Sequence, residues 1–171
     1  MARRADGPPA REQKRTALMV GEGLAEQVFL NHLKALYVVR GHKQVTVKNA
    51  KGKGGAKVLD YTRRQCQVAD YDCRLALLDT DTDWDDTQRR NARAWGIEVV
   101  EASPCLEPLL LRIAGIKLPQ RARHPKSVFL KRFGSPAHAP DVYERHFPQS
   151  LLEGARTRVP ELDQLIRFLQ Q

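Results

Sequence analysis

No stretch of this chain approaches the roughly 18 consecutive apolar residues that a membrane span requires. The basic N-terminus is followed by no apolar segment, so no secretory signal is expected. Cysteine is scarce: Cys66, Cys73 and Cys105 make an odd three with no CxxC pair. That pattern points to reduced thiols in a cytoplasm, buried as small apolar residues. His124, His138 and His146 show no metal-ligand spacing and read as ordinary surface or core. No GxxxxGK[ST] segment is present, which excludes a Walker A loop. No internal repeat or low-complexity tract stands out.

Acidic residues are also few, 20 against 29 Lys and Arg, and the net charge is +9. The strongly basic balance favours a polyanionic partner, most simply nucleic acid. At 171 residues, 42% of them apolar, the chain is long enough for one domain with a substantial core.

Against this background one stretch is conspicuous. Leu75-Ala76-Leu77-Leu78 runs directly into Asp79, Asp81, Asp83, Asp85 and Asp86, a quarter of all the carboxylates within eight positions. The short apolar run suits a fully buried strand of a parallel sheet. Ligands of such sheets collect beyond the carboxyl ends of the strands, where Asp79 and Asp81 fall. Crowded carboxylates repel one another unless a cation is shared among them, and hard oxygen donors suit Mg²⁺, Mn²⁺ or Ca²⁺. Asp85 and Asp86 read instead as first-turn acids of the following helix. Asp83 stays open between the two roles.

Residues 1–15 are basic, with Pro and Gly and little to bury, and read as a disordered arm whose Arg3, Arg4, Arg11, Lys14 and Arg15 can touch phosphates. Thr16–Val20 reads as a first buried strand. Gly21-Glu22-Gly23 then turns the chain into a helix over about 24–39, with Leu24, Val28, Leu33, Leu36 and Tyr37 on its apolar side. Glu22 projects from the strand's carboxyl end, with Glu26 one helical turn beyond; Glu26 reads equally as a surface acid. Residues 44–47 alternate as a second strand. They lead into a glycine-rich loop carrying Lys48, Lys51, Lys53 and Lys57, whose free amides and ammonium groups suit phosphate contacts or plain solvation. A helix over about 57–69 precedes the Asp-bearing strand, and another, rich in Arg89, Arg90 and Arg93, follows it to about Trp95. Residues 97–101 form a fourth strand. Glu107 opens an apolar helix over about 109–114, beside a proline favoured at that position. The order β-α-β-α-β-α-β-α predicts a parallel, doubly covered α/β sheet over 16–115. Beyond Ile116, prolines break the chain into short helices expected at 126–133, 143–156 and 161–170. This extension over 116–171, packed on the sheet domain, supplies Arg121, Arg123, Lys126, Lys131 and Arg132.

Three segments carry a family resemblance. Val20-Gly21-Glu22-Gly23-Leu24-Ala25-Glu26-Gln27-Val28-Phe29 resembles the CEGxxTExxYF opening of the RloB-like TOPRIM family. Leu77-Leu78-Asp79-Thr80-Asp81 is similar to its hydrophobic-DxD strand, and residues 102–111 to its later SNPxFExWLL segment. Ala25, Ser103, Leu106 and Leu109 depart from that pattern. The resemblance implies a TOPRIM-like parallel sheet flanked by helices. It also implies Mg²⁺ (or Mn²⁺) held by Glu22, Asp79 and Asp81, and an association with bacterial restriction or phage-defence loci, often alongside an ATPase.

The reading that follows is a metal-dependent nuclease cleaving DNA or RNA. Glu22, Asp79 and Asp81 would be its catalytic and metal-binding residues, and Asp83 a further ligand. Glu26 and Glu107 would support a second ion or orient a water. Lys51, Lys53, Lys57, Lys126, Lys131 and Arg132 would contact nucleic acid. Glu22 as general base is the variant of this scheme. No tyrosine is placed as a topoisomerase nucleophile. Two alternatives remain: a haloacid-dehalogenase-like phosphatase with Asp79 as nucleophile, and a non-catalytic nucleic-acid-binding adaptor dependent on an ATPase partner. The expected location is cytoplasmic without a membrane partner, and a homo-oligomer stays open.

Overall fold

An extended, wholly apolar run must find cover on both its faces, because successive side chains point in opposite directions. The structure, a computed structural model describing residues 14–52, 54–81, 83–118 and 124–171, provides that cover. β1 (Arg15–Gly21), β2 (Lys43–Asn49), β3 (Cys73–Asp79) and β4 (Glu98–Ala102) form one all-parallel sheet in the order β2-β1-β3-β4. Ala17, Met19, Leu75 and Leu77 face one side and join a large apolar cluster. Leu18, Val20, Ala76 and Leu78 face the other and join a smaller one. Each leucine, valine or methionine among them, taken out of water, contributes roughly 1.5–3 kcal/mol. The fold is thus the expected α/β class, consistent with a TOPRIM-like sheet carrying C-terminal helices.

α1 (Leu24–Tyr37) and α4 (Leu106–Ile113) cover the first face, and α2 (Gly55–Val68) and α3 (Asp86–Ala94) the second. The chain leaves β1 for β2 on one side and then crosses back to β3 on the other. The sheet therefore reverses direction between β1 and β3, and their carboxyl ends border the crevice where open α/β sheets bind ligands.

The C-terminal helices α5 (Pro125–Phe133), α6 (Pro140–His146), α7 (Gln149–Ala155) and α8 (Pro160–Gln170) complete the first face. Phe129, Tyr143, Phe147, Leu152, Leu165 and Phe168 are buried in the same cluster as Phe29, Leu30 and Leu33 of α1. Tyr143 stacks on Phe29 with ring centroids 5.6 Å apart and donates its hydroxyl to the Ala137 carbonyl at 2.7 Å. α5 to α8 thus share one core with the sheet.

Several expectations need correction. The single helix over 143–156 is two, α6 and α7, because Pro148 has no N–H to donate and turns Phe147 away from helical geometry. α4 begins at Leu106 rather than Leu109, which places Glu107 inside a helix whose residues are buried save Arg112. Leu24 does not join the core: the buried stripe of α1 is Glu26, Phe29, Leu30, Leu33 and Tyr37. Of the three free cysteines only Cys105 is buried. Arg15 belongs to β1 instead of the N-terminal arm. Arg3, Arg4, Arg11 and Lys53, expected from sequence to be able to contact phosphates, and the basic Arg121 and Arg123 of the extension lie outside the described residues. Among the described residues no helix is long and apolar enough to cross a membrane.

Candidate active site

β1 ends at Gly21, and the chain turns at once into α1. The turn is tight: a Cβ on Gly21 would lie 2.7 Å from the Glu26 Cβ and 2.9 Å from the Gln27 nitrogen. Glycine alone fits under that first helical turn. The approach sets Glu26 against the strand end, 6% exposed, with its Oε2 accepting the Gly23 N–H at 2.8 Å. This carboxylate caps its own helix from the third position.

Glu22 lies beside it at the switch between β1 and β3. Its Oε2 accepts the backbone N–H of Asp79 at 3.0 Å and its Oε1 that of Gly54 at 3.2 Å. Its carbonyl accepts the Gly52 N–H at 2.6 Å, and its own N–H donates to the Leu77 carbonyl at 3.1 Å. Glu22 therefore ties β3 and the glycine-rich loop to the end of β1.

Four of the loop amides expected to be free are already bonded. The Ala50 N–H goes to the Gly21 carbonyl, Lys51 N–H to Asn49 Oδ1, and those of Gly52 and Gly54 to Glu22. Gly54, at φ +88°, adopts a backbone that side-chain-bearing residues rarely take, and a Cβ there would meet the Asp83 carboxylate at 2.4 Å. Asp83 thus packs against the loop.

Asp79 closes β3 half-buried, and its Oδ1 is shielded from solvent with no hydrogen-bond partner. Burial pushes its carboxyl up to about 8, helped by the charges of Glu26, Glu22, Asp81 and Glu107. Burial likewise raises Glu26, against the pull of backbone N–H groups and with the push of Glu22 and Glu107. Glu107, 7% exposed, completes the group from α4. Cys105, next to it, is pushed up to about 12 by burial and then by Glu107, which leaves it a neutral thiol.

Glu22, Glu26, Asp79 and Glu107 line a single cleft of about 550 Å³. The lining also includes Leu24 and Ala25 of α1, Lys126, Ser127 and Leu130 of α5, and the Pro136–His138 segment. Of the residues picked out in the sequence, Glu22, Asp79, Glu26, Glu107 and Lys126 meet here. Asp81 is exposed outside the lining, near enough to Asp79 to act on its proton. Lys51, Lys57, Lys131 and Arg132 are exposed and do not line the cleft. Asp85 caps α3, accepting the Thr87 and Gln88 N–H groups at 2.8 and 3.0 Å, as its position suggested. Arg89 is held between Asp86 and Glu101.

Leu24, Leu130 and His138 were missed. No pattern pointed to His138, whereas Leu24 was taken for core because a helical period alone does not say where the buried stripe begins. No protein-family model matches the chain, nor does any curated protein or solved structure.

The donor set is oxygen throughout, the chemistry of a hard divalent cation, and the orphaned Asp79 Oδ1 is the atom such an ion would satisfy. Among the described residues no three Asp, Glu, His or Cys side chains already stand in ligating geometry. The carboxylates fit the ion in kind, as oxygen donors lining one cleft, and do not stand in ligating geometry.

Proposed function

We propose that this protein is a Mg²⁺- or Mn²⁺-dependent nuclease that hydrolyses phosphodiester bonds of DNA or RNA. One observation carries the reading: four carboxylates, from the β1–α1 turn, α1, β3 and α4, line one cleft at the sheet's switch point, around a buried carboxylate oxygen that has no partner among the described residues. Asp79 and Glu22 would hold the cation, with Glu107 on the cleft wall and Asp81 from the loop outside. When bound, a divalent cation supplies Lewis-acid polarisation of the phosphoryl group.

The chain's own groups do the rest. Glu22 fixes the Asp79 backbone, and so the direction from which that carboxylate enters the cleft. Glu26, whose carboxyl burial raises from its ordinary value, lies in the cleft as the candidate proton donor to a leaving oxygen. Lys126 adds a positive charge to the cleft lining for the phosphate. The resemblance to RloB-like TOPRIM proteins supports this chemistry and extends the proposal to a bacterial restriction or phage-defence system with an ATPase partner.

The test is cleavage of end-labelled DNA and RNA with Mg²⁺ or Mn²⁺. The expected result is hydrolysis that EDTA stops and Asp79→Asn abolishes; hydrolysis undiminished in Asp79→Asn sinks the assignment. The lack of ready ligating geometry favours a second reading, a nucleic-acid-binding adaptor. Steeply salt-dependent binding, indifferent to EDTA and without cleavage even beside an ATPase, would select it. The phosphatase alternative has no observation in its favour, since the acids around Asp79 repel a phosphate dianion.

A further inference from the structure

Among the described residues four large hydrophobic side chains are exposed: Leu24, Val39, Val68 and Leu130. Two of them line the carboxylate cleft: Leu24, 54% exposed at the first position of α1, and Leu130, 48% exposed on α5. Lys126 lies one helical turn before Leu130 and lines the cleft with it, so one face of α5 presents an ammonium group and an apolar side chain together. Pro136 and Ala137 continue the apolar wall.

Exposed leucines lose nothing by being isolated on a surface. Here they share a concave surface with carboxylates and a lysine, and that combination matches the parts of one nucleotide. The base is flat and largely apolar on its faces. The phosphate is anionic and suits Lys126 and a cation held on the acidic floor. A duplex offers its phosphates but withholds the base faces: it is stiff over roughly 50 nm, and it keeps its bases stacked inside. A cleft of about 550 Å³ lies within the roughly 300–1,000 Å³ that takes a small organic ligand.

We propose that the cleft takes an unpaired nucleotide of a single-stranded nucleic acid, its base lying against Leu24 and Leu130 and its phosphate toward Lys126. The inference rests on the nucleic-acid reading above and names its substrate class. Leucine side chains offer a surface to any base and no hydrogen-bond readout, so the selection is for strandedness rather than sequence.

The test uses the full chain with Ca²⁺, which takes oxygen ligands at about 2.3–2.6 Å without the tight octahedral geometry of Mg²⁺. Single-stranded DNA and RNA oligonucleotides carrying a central 2-aminopurine, and their duplexes, are titrated by fluorescence anisotropy. The single strands are expected to bind about tenfold more tightly than the duplexes, with a rise in 2-aminopurine emission as the base unstacks. Leu24→Ser and Leu130→Ser, both at exposed positions, each weaken single-strand binding about fivefold and leave duplex binding unchanged. Equal affinity for duplex and single strand, or leucine variants that bind as the wild type does, overturns the inference. Single-strand binding with no hydrolysis in Mg²⁺ or Mn²⁺ leaves it standing and removes only the nuclease reading. Hydrolysis of duplex with no single-strand preference does the reverse.

Discussion

Glu22 and Asp79, 57 positions apart in the chain, are joined through a 3.0 Å hydrogen bond from the Asp79 backbone N–H to the Glu22 carboxylate. The bond spans the two strands between which the sheet reverses direction, and the other Glu22 oxygen holds the glycine-rich loop. The residue expected from sequence to be a ligand is also a tie between three pieces of backbone.

Glu22→Ala removes both acceptors at once and leaves two partly buried N–H groups unpaired. A loss of about 2–3 kcal/mol in unfolding free energy is expected. Glu22→Gln, which keeps one carbonyl oxygen as an acceptor, should lose about half of that or less. Urea denaturation followed by circular dichroism measures both. A Glu22→Ala protein as stable as the wild type would show that the tie carries no weight.

The raised Asp79 carboxyl makes stability depend on pH. Its folded value of about 8 lies above the ordinary 3.8, so the folded state binds the proton more tightly across that interval. The contribution is complete at the acid end and is lost as pH rises toward the folded value. The slope is at most about 1.4 kcal/mol per pH unit. In EDTA, the stability difference between wild type and Asp79→Asn should therefore turn against the wild type as pH increases over this range. A difference independent of pH contradicts the burial of that charge.

On the proposed reading, a cation that replaces the proton should reverse the trend. At a hundredfold excess over its dissociation constant, Mg²⁺ or Mn²⁺ stabilises the folded state by about 2.7 kcal/mol. For a chain of this size that is a rise in Tm of roughly 2–4 °C for each kcal/mol. Differential scanning fluorimetry should show the rise in the wild type and little of it in Asp79→Asn and Glu107→Gln.

The C-terminal helices should unfold together with the sheet. Phe147, wholly buried, lies against Phe133 and Tyr143, and its carbonyl meets His32 Nε2 of α1 at 2.8 Å. Phe147→Ala should cost about 3–5 kcal/mol and move one single transition. Two separate transitions would make the extension an independent unit.

Much of this arrangement is legible in the chain itself. Apolar runs such as Leu75–Leu78, too short for a helix and bounded by turn residues, mark the strands, and Asp85 declares itself as a cap by its place before a helix. Glu26 is the instructive case. It stands at the head of the spacing Phe29, Leu30, Leu33, Tyr37 and so belongs to the buried stripe, yet from sequence alone it read equally as a surface acid. Glu107 was named as a supporting acid, but its burial within α4 was hidden because the helix was expected to begin only at Leu109. The loop amides were misjudged because their acceptor, Glu22, is distant from Gly54 in sequence and only the fold brings the two together. The break at Pro148 needed no fold at all, only the rule that a residue before proline avoids helical geometry.

The missing side chain at Gly21 separates two kinds of requirement. Any descendant of this chain must retain glycine there to keep α1 seated, even one in which the cleft had fallen out of use. Glu26, by contrast, is buried where a neutral side chain would sit more comfortably. A lineage freed from its chemistry would lose that acid early and the glycine last.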